Sequence, residues 1–352
     1  MTFWCGKKVL VTGHTGFKGS WLCLWLQKLG AEVIGYALEA PTVPNLFKVA
    51  QVEENMMSII DDIRNKDRLV SVLKKYKPDI VFHLAAQSLV RKSYANPVET
   101  FETNVMGTVN LLDAIRFSES IRVVVNITSD KCYDNKEWSW GYREIDSMGG
   151  YDPYSCSKGC SELVTNSFRQ SYFKGKDIHL ASARAGNVIG GGDWAEDRLV
   201  PDIIKSLIKI EPVSIRNPFA VRPWQHVLEP LNGYMMLAEA MWQHGEKYSE
   251  PWNFGPDDDH VITVGELTNK LSSLWKENLE IKKDIRKQPH EATLLKLDCS
   301  KAKLNLGWYP KLNLEDTLIW TTDWYKEFTW KSEGMKEVTI KQIEAYDKLR
   351  RD

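Results

Sequence analysis

The sequence has no uninterrupted apolar run of the roughly 18–20 residues that a membrane-spanning helix needs. No signal-peptide pattern precedes its first strand-like segment, "MTFWCGKKVLVTG", so neither membrane nor export is expected and the location reads as cytoplasmic. It also lacks an excess of either charge: 46 Lys+Arg stand against 47 Asp+Glu, a formal net charge of −1. That balance supplies no long-range field for nucleic acid, which is excluded as an expected partner. The six cysteines, at 5, 23, 132, 156, 160 and 299, form no C-x-x-C and no Cys/His ligand spacing. A metal centre or disulfide framework is therefore not expected, and the cysteines read as small, semi-buried thiols. Repeats and low-complexity segments are missing as well.

What the chain does have is length and alternation. Its 352 residues, 43% hydrophobic and 26% charged, suffice for one large α/β domain, or for one with a smaller partner. Strand-like runs "KKVLVTG", "AEVIGYA", "PDIVFHLA", "IRVVVNITS" and "DIHLASARA" alternate with helical patterns such as "GSWLCLWLQKLG", "DRLVSVLKKY" and "NVMGTVNLLDAIRF". Such alternation predicts a parallel, doubly wound sheet. Gly30 is a fitting C-cap for the first helix. Beyond about Asn187 the alternation gives way to Gly-, Pro- and Trp-rich stretches, which suggest loops over a cleft.

Two clusters carry chemistry. "VLVTGHTGFKGSWL" sets Gly13, Gly16 and Gly19 between the first strand and the first helix. A turn there is tight, its backbone must approach a pyrophosphate closely, and the helix N-terminus supplies N–H donors. This reads as a dinucleotide loop. The second cluster ends the apolar run "VVVNITSDKCYDN", which delivers a hydroxyl, a carboxylate and an amine side by side: Ser129, Asp130 and Lys131. Downstream, "YDPYSCSKGCSEL" carries Tyr154 and Lys158, four apart and so on one helix face. A tyrosine hydroxyl is ionised in only about one molecule in a thousand at pH 7. A nearby ammonium and a positive nicotinamide ring would favour phenolate and make Tyr154 a base for an alcohol proton.

In combination these motifs resemble the short-chain dehydrogenase/reductase family: G-x-x-G-x-x-G, a strand-terminal hydroxyl, then Tyr-x-x-x-Lys. The similarity runs from residue 8 to about residue 310 and extends to the family's extended branch, which acts on nucleotide sugars. It implies an α/β fold, a Rossmann-type doubly wound parallel sheet with a smaller C-terminal substrate-binding domain. Residues 1–186 would bind NAD, with part of 222–255 returning to that domain, and 187–352 would mainly bind the nucleotide sugar. The implied cofactor residues are Gly13, Thr15, Gly16, Phe17, Gly19, Asp62, Ile63, Leu84, Ala85, Ala86 and Asn104, with Tyr154 and Lys158. NAD is favoured over NADP, but the choice stays open. Ala37 and Glu39 stand where an acid usually closes the second strand, and His14 and Lys18 occupy the glycine loop, where Lys18 would suit a 2′-phosphate. On the substrate side the resemblance implies Ser88 in "HLAAQSLVRKSYANPVETFETNVMGTVNLL", Asn187 in "SARAGNVIGGGDW" and Arg222 in "RPWQHVLE". Arg198 and Arg216 are further candidates for the diphosphate. A homodimer or homotetramer, paired through the helices containing Asn104 and Tyr154, is the implied assembly.

Within that branch, epimerases carry small residues after the strand-terminal hydroxyl, whereas 4,6-dehydratases carry an acid pair. Asp130 matches the acid pair and Lys131 does not; a lysine there resembles the variant that acts on CDP-glucose. The implied reaction oxidises C4 through Tyr154, with Ser129 and Lys158 completing the triad. Lys131 then takes the C5 proton, and Asp130 protonates the departing C6 hydroxyl. Lys131 either works as a base with a depressed pKa or stays charged and stabilises the enolate. A 4-epimerase, a 4,6-dehydratase for another nucleotide hexose, and a non-catalytic NAD-binding scaffold remain as alternatives. His83, His226 and His260 read as structural, Trp224 as a cleft residue beside Arg222, and "EVTIKQIEAYDKLRRD" as a charged amphipathic surface helix.

Overall fold

The computed structural model describes residues 2–257, 261–277, 279–284, 292–331 and 334–351. Six strands alternate with helices along the first half: β1 (Lys8–Thr12), β2 (Glu32–Ala37), β3 (Met57–Ile60), β4 (Ile80–His83), β5 (Val123–Ile127) and β6 (His179–Arg184). A seventh, Pro251–Asn253, completes one parallel sheet in the order Pro251–Asn253, β6, β5, β4, β1, β2, β3. The order reverses direction at β1 and β4, which opens a crevice above the carboxyl ends of those strands, where doubly wound folds bind ligands.

Both faces of the sheet are covered, so its central strands are apolar throughout rather than alternating. β5 is buried at all five positions. Val9, Val11, Val123 and Val125 face the layer that contains Trp21 and Trp25, whereas Leu10 and Val124 face the layer that contains Leu69 and Leu111. The helix Phe17–Lys28 ends at Leu29, and Gly30 takes φ +87°, the expected left-handed stop.

After Asn187 the chain builds three short strand pairs. Val188–Ile189 pairs with Gln225–His226, Val213–Ile215 with Ile281–Lys283, and Val221–Pro223 antiparallel with Val261–Thr263. Helix Leu228–His244 then packs back on β5 and β6. The closing helix Met335–Arg351 is more than a surface element. Met335, Thr339, Ile343 and Tyr346 recur at helical spacing and are all buried. They seat it against the helix Phe17–Lys28, with Tyr346 edge-on to Trp25.

Candidate active site

At the end of β5 the chain enters a 3₁₀ turn, Asp130–Cys132, capped by Ser129. Ser129 Oγ accepts the Lys131 N–H at 3.3 Å and donates to Asp130 Oδ1 at 2.9 Å. Asp130 is buried in a seat that only a residue without a side chain leaves open. A Cβ on Gly186 would lie 1.9 Å from Asp130 Oδ2. The helix Pro153–Phe168 begins with Asp152 as its cap, Oδ1 accepting the Ser155 N–H at 2.9 Å, and with proline in its first turn. That start aims Tyr154 and Lys158 back at β5.

Tyr154 is hydrogen-bonded to Ser129, and Lys158 Nζ reaches the Ile127 carbonyl at 3.4 Å. Burial pushes Tyr154 up to about 12, against the opposing pull of the Ser129 hydrogen bond and the Arg198 charge. Burial likewise pulls Lys158 down to about 8, with Glu162 opposing. Without a bound cofactor, burial therefore holds Tyr154 neutral.

Behind this pair lies a network that sequence reasoning missed. Glu162, one turn after Lys158, accepts hydrogen bonds from Thr128 Oγ1, from Ser182 Oγ at 2.7 Å and from Arg184 Nε and Nη2 at 2.9 and 2.8 Å. Arg184 also donates to Tyr133 Oη at 2.6 Å. The only signal in the sequence was the four-residue step from Lys158.

The glycine loop fits a dinucleotide. Gly13 takes φ +77°, and a Cβ there would lie 2.8 Å from the backbone of Leu84 and Ala85. Helix Phe17–Lys28 starts at Gly16 with no side-chain cap and no acid in its first turn, leaving its N–H donors for an anion. Thr15 Oγ1 donates to the Leu38 carbonyl at 2.8 Å, which fixes the loop beside the end of β2.

Lys18 points elsewhere. It lines the catalytic cleft with Ser129 and Tyr154 and is pulled down to about 8 by burial and by the charges of Arg198 and Lys158. His14 is buried, with Nε2 2.8 Å from Ser58 Oγ, and its ring fills the space a Cβ on Gly35 would need. Asp62 and Ile63 follow β3. The Asp62 carboxylate is gripped by Arg64, and Ile63 packs on Gly107.

Asn104 is not brought to the cleft. It sits in a π-helical turn, Glu102–Met106, where its Oδ1 accepts the Gln87 N–H at 2.8 Å. Its Nδ2 donates to Gln87 O at 3.0 Å and to Ser157 Oγ at 2.8 Å. It therefore couples the segment after β4, with Leu84, Ala85 and Ala86, to the helix of Tyr154.

A cleft of about 1610 Å³, its solvent mouth included, gathers Ser129, Asp130, Lys131 and Tyr154 with Phe17, Ser88, Asn187, Arg198, Arg216, Arg222 and Trp224. Arg198 is held by Asp193 Oδ2 and Ser88 Oγ, both at 2.8 Å. Asn187 adopts φ +49° at the turn after β6. Arg222 lies against the chain at 292–293. Its Nη1 donates to Val221 O at 2.9 Å and Thr293 O at 2.8 Å, and its Nη2 donates to Ala292 O. His83 is buried between Thr12 and Thr108, and His226 packs between Trp21 and Trp320; burial pulls both down to about 3. His260 lies outside the described residues. Among the described residues no helix is long and apolar enough to cross a membrane.

Residues 10–320 match the model of the family described as GDP-mannose 4,6 dehydratase, and the chain belongs to that family. It is 54% identical over 349 residues to a CDP-glucose 4,6-dehydratase of Salmonella typhimurium, covering 98% of this chain and 97% of that protein. A dTDP-glucose 4,6-dehydratase of Streptomyces venezuelae, solved with NAD bound, is similar in structure. Its TM-score is 0.79 at 27% identity, over 92% of this chain and 98% of that one. A UDP-glucose 4-epimerase of Thermotoga maritima shares the fold, with a TM-score of 0.80 at 24% identity over 92% of this chain and 100% of that one. The motif resemblance to extended short-chain dehydrogenases/reductases is borne out.

Proposed function

We infer that this chain is an NAD-dependent hydro-lyase that converts CDP-glucose to CDP-4-keto-6-deoxyglucose. The observation that carries the reading is the Asp130–Lys131 pair, seated with Ser129 and Tyr154 in one cleft. An epimerase needs no second acid–base pair. The 54% identity to a CDP-glucose 4,6-dehydratase supports the nucleotide.

NAD, held by the glycine loop, would supply a positive ring with hydride-transfer chemistry at C4 and C6 of the sugar. Its charge also opposes the burial that holds Tyr154 neutral. The remaining roles belong to the protein. Tyr154 takes the O4 proton, with Ser129 sharing the hydrogen bond and Lys158 stabilising the anion. Lys131 removes the C5 proton that the new ketone has acidified, and Asp130 gives a proton to the departing C6 hydroxyl. Hydride return to C6 and proton return to C5 complete the loss of one water. Ser88, Asn187, Arg198, Arg216 and Arg222 bind the nucleotide sugar, and Gly13, Thr15, Gly16, Phe17 and Gly19 cradle the dinucleotide. Residues 1–186, with part of 222–255, serve the cofactor, and most of the remainder serves the sugar. Pairing through the helices of Asn104 and Tyr154 suits their exposed Val98, Met106 and Leu163. Six free cysteines suit a reducing cytoplasm.

The test is product analysis with NAD⁺ and a panel of CDP-, UDP-, dTDP- and GDP-sugars deuterated at C4. Loss of one water from CDP-glucose, with deuterium moved to C6, is the expected result. A change of configuration without water loss would make the protein an epimerase. Lys131→Met is expected to keep C4 oxidation and to stop water loss; unchanged dehydration would remove Lys131 from the mechanism.

A further inference from the structure

The cleft extends well past the catalytic end. Arg198 acts electrostatically on Tyr154 and on Lys18, which places it beside the reacting sugar and cofactor loop. The helix Leu199–Lys209 starts there, and the Asp202 N–H donates to Arg198 O at 3.0 Å. Asp202 therefore lies one turn further on, about 6 Å along the axis. It lines the same cleft, together with Pro201, Ser214 and Asn217. With the hexose at Tyr154 and the diphosphate at Arg198, this stretch of the cleft is left for the base of a nucleotide sugar.

The Asp202 side chain is 40% exposed and forms an ion pair with Lys205. The described residues offer it no hydrogen bond, and Lys205 Nζ stands 3.8 Å away. The groups around it are Lys205 on its own helix, Glu196 and Asp197 in the preceding loop, and Arg216 beyond the strand Val213–Ile215. Burial, reinforced by Asp197, pushes the carboxyl up to about 6, against Lys205 and Arg216.

Resting on the CDP-glucose reading, we propose that Asp202 selects the base by accepting a hydrogen bond from the 4-amino group of cytosine. Uracil and thymine present a carbonyl oxygen at that position, which an ionised carboxylate repels. Discrimination here is chiefly the cost of setting two acceptors against each other. Above pH 6 the carboxylate accepts only. As pH falls through about 6 it gains a proton that can be donated to O4, so the preference for cytosine weakens.

The experiment is calorimetric binding of CDP, UDP and dTDP to the full-length protein and to Asp202→Asn, with NAD⁺ present, between pH 5.5 and 8. At pH 8 the wild type is expected to favour CDP by about tenfold or more, the range of one good base-edge contact. That ratio falls in wild type as pH drops through 6. In D202N it is near one and flat with pH. A D202N protein that keeps the wild-type ratio overturns the assignment, as does a wild type without preference. Turnover of CDP-glucose by the wild type is measured alongside. Water loss with an unchanged D202N ratio sinks Asp202 alone, whereas no water loss sinks the parent reading.

Discussion

Gly186 decides where the proposed acid sits. A Cβ there would overlap both Asp130 carboxylate oxygens, so the side chain of an alanine variant must drive Asp130 off its hydrogen bond with Ser129. Gly186 needs no left-handed backbone, so Gly186→Ala should fold and still bind NAD. Displacing a proton donor by about 1 Å costs on the order of 100-fold in rate. The expected outcome is a dehydration rate lower by that factor, with C4 oxidation, read as transient NADH absorbance, reduced much less. Equal loss of both steps would mean that Asp130 supports Tyr154 rather than the leaving hydroxyl.

The catalytic elements are locked together by one buried ion pair. Glu162 on the helix Pro153–Phe168 binds Thr128 at the end of β5 and Ser182 and Arg184 on β6. Three elements thus share one carboxylate. Removing one member of such a pair leaves an uncompensated buried charge, at a cost of about 3–5 kcal/mol. Glu162→Leu should lose that much stability in urea titrations, and Glu162→Leu with Arg184→Leu should recover part of it. A single variant as stable as wild type would show that the pair is not a lock. Beyond the four-residue step from Lys158 to Glu162, none of this was legible in the sequence, because Thr128, Glu162 and Arg184 meet only after the sheet forms. What was legible is local. The five central strands announced themselves because a parallel strand buried on both faces is a run of Val, Ile and Leu. β3 and Pro251–Asn253 did not, being four and three residues long at the sheet's edges. The spacing of Gly13, Gly16 and Gly19 pointed to a tight glycine turn suited to a dinucleotide, yet said nothing about where Lys18 would point.

On the scale of the whole molecule, the last third of the chain is fastened through Glu229 to the helix Leu228–His244. Glu229 begins that helix, which packs on β5 and β6, and is buried. One oxygen accepts the N–H groups of Lys311 and Leu312 at 2.9 and 2.7 Å, and the other accepts the Tyr346 hydroxyl at 2.6 Å. Burial pushes the carboxyl up to about 7, with those hydrogen bonds opposing. In the unfolded chain it titrates near its ordinary value of 4.5. The folded protein therefore holds a proton that the unfolded chain has released. The stability from that proton is complete below about pH 4.5 and is lost as pH rises through 7, by on the order of 3 kcal/mol in all. Glutamine keeps the shape and the acceptor but cannot ionise. In urea titrations at several pH values, Glu229→Gln should gain on wild type between pH 5 and about pH 7 and level off above it. If the two proteins instead run parallel across that range, Glu229 is ionised in the native state. The three segments would then be joined by a buried anion rather than by a neutral acid.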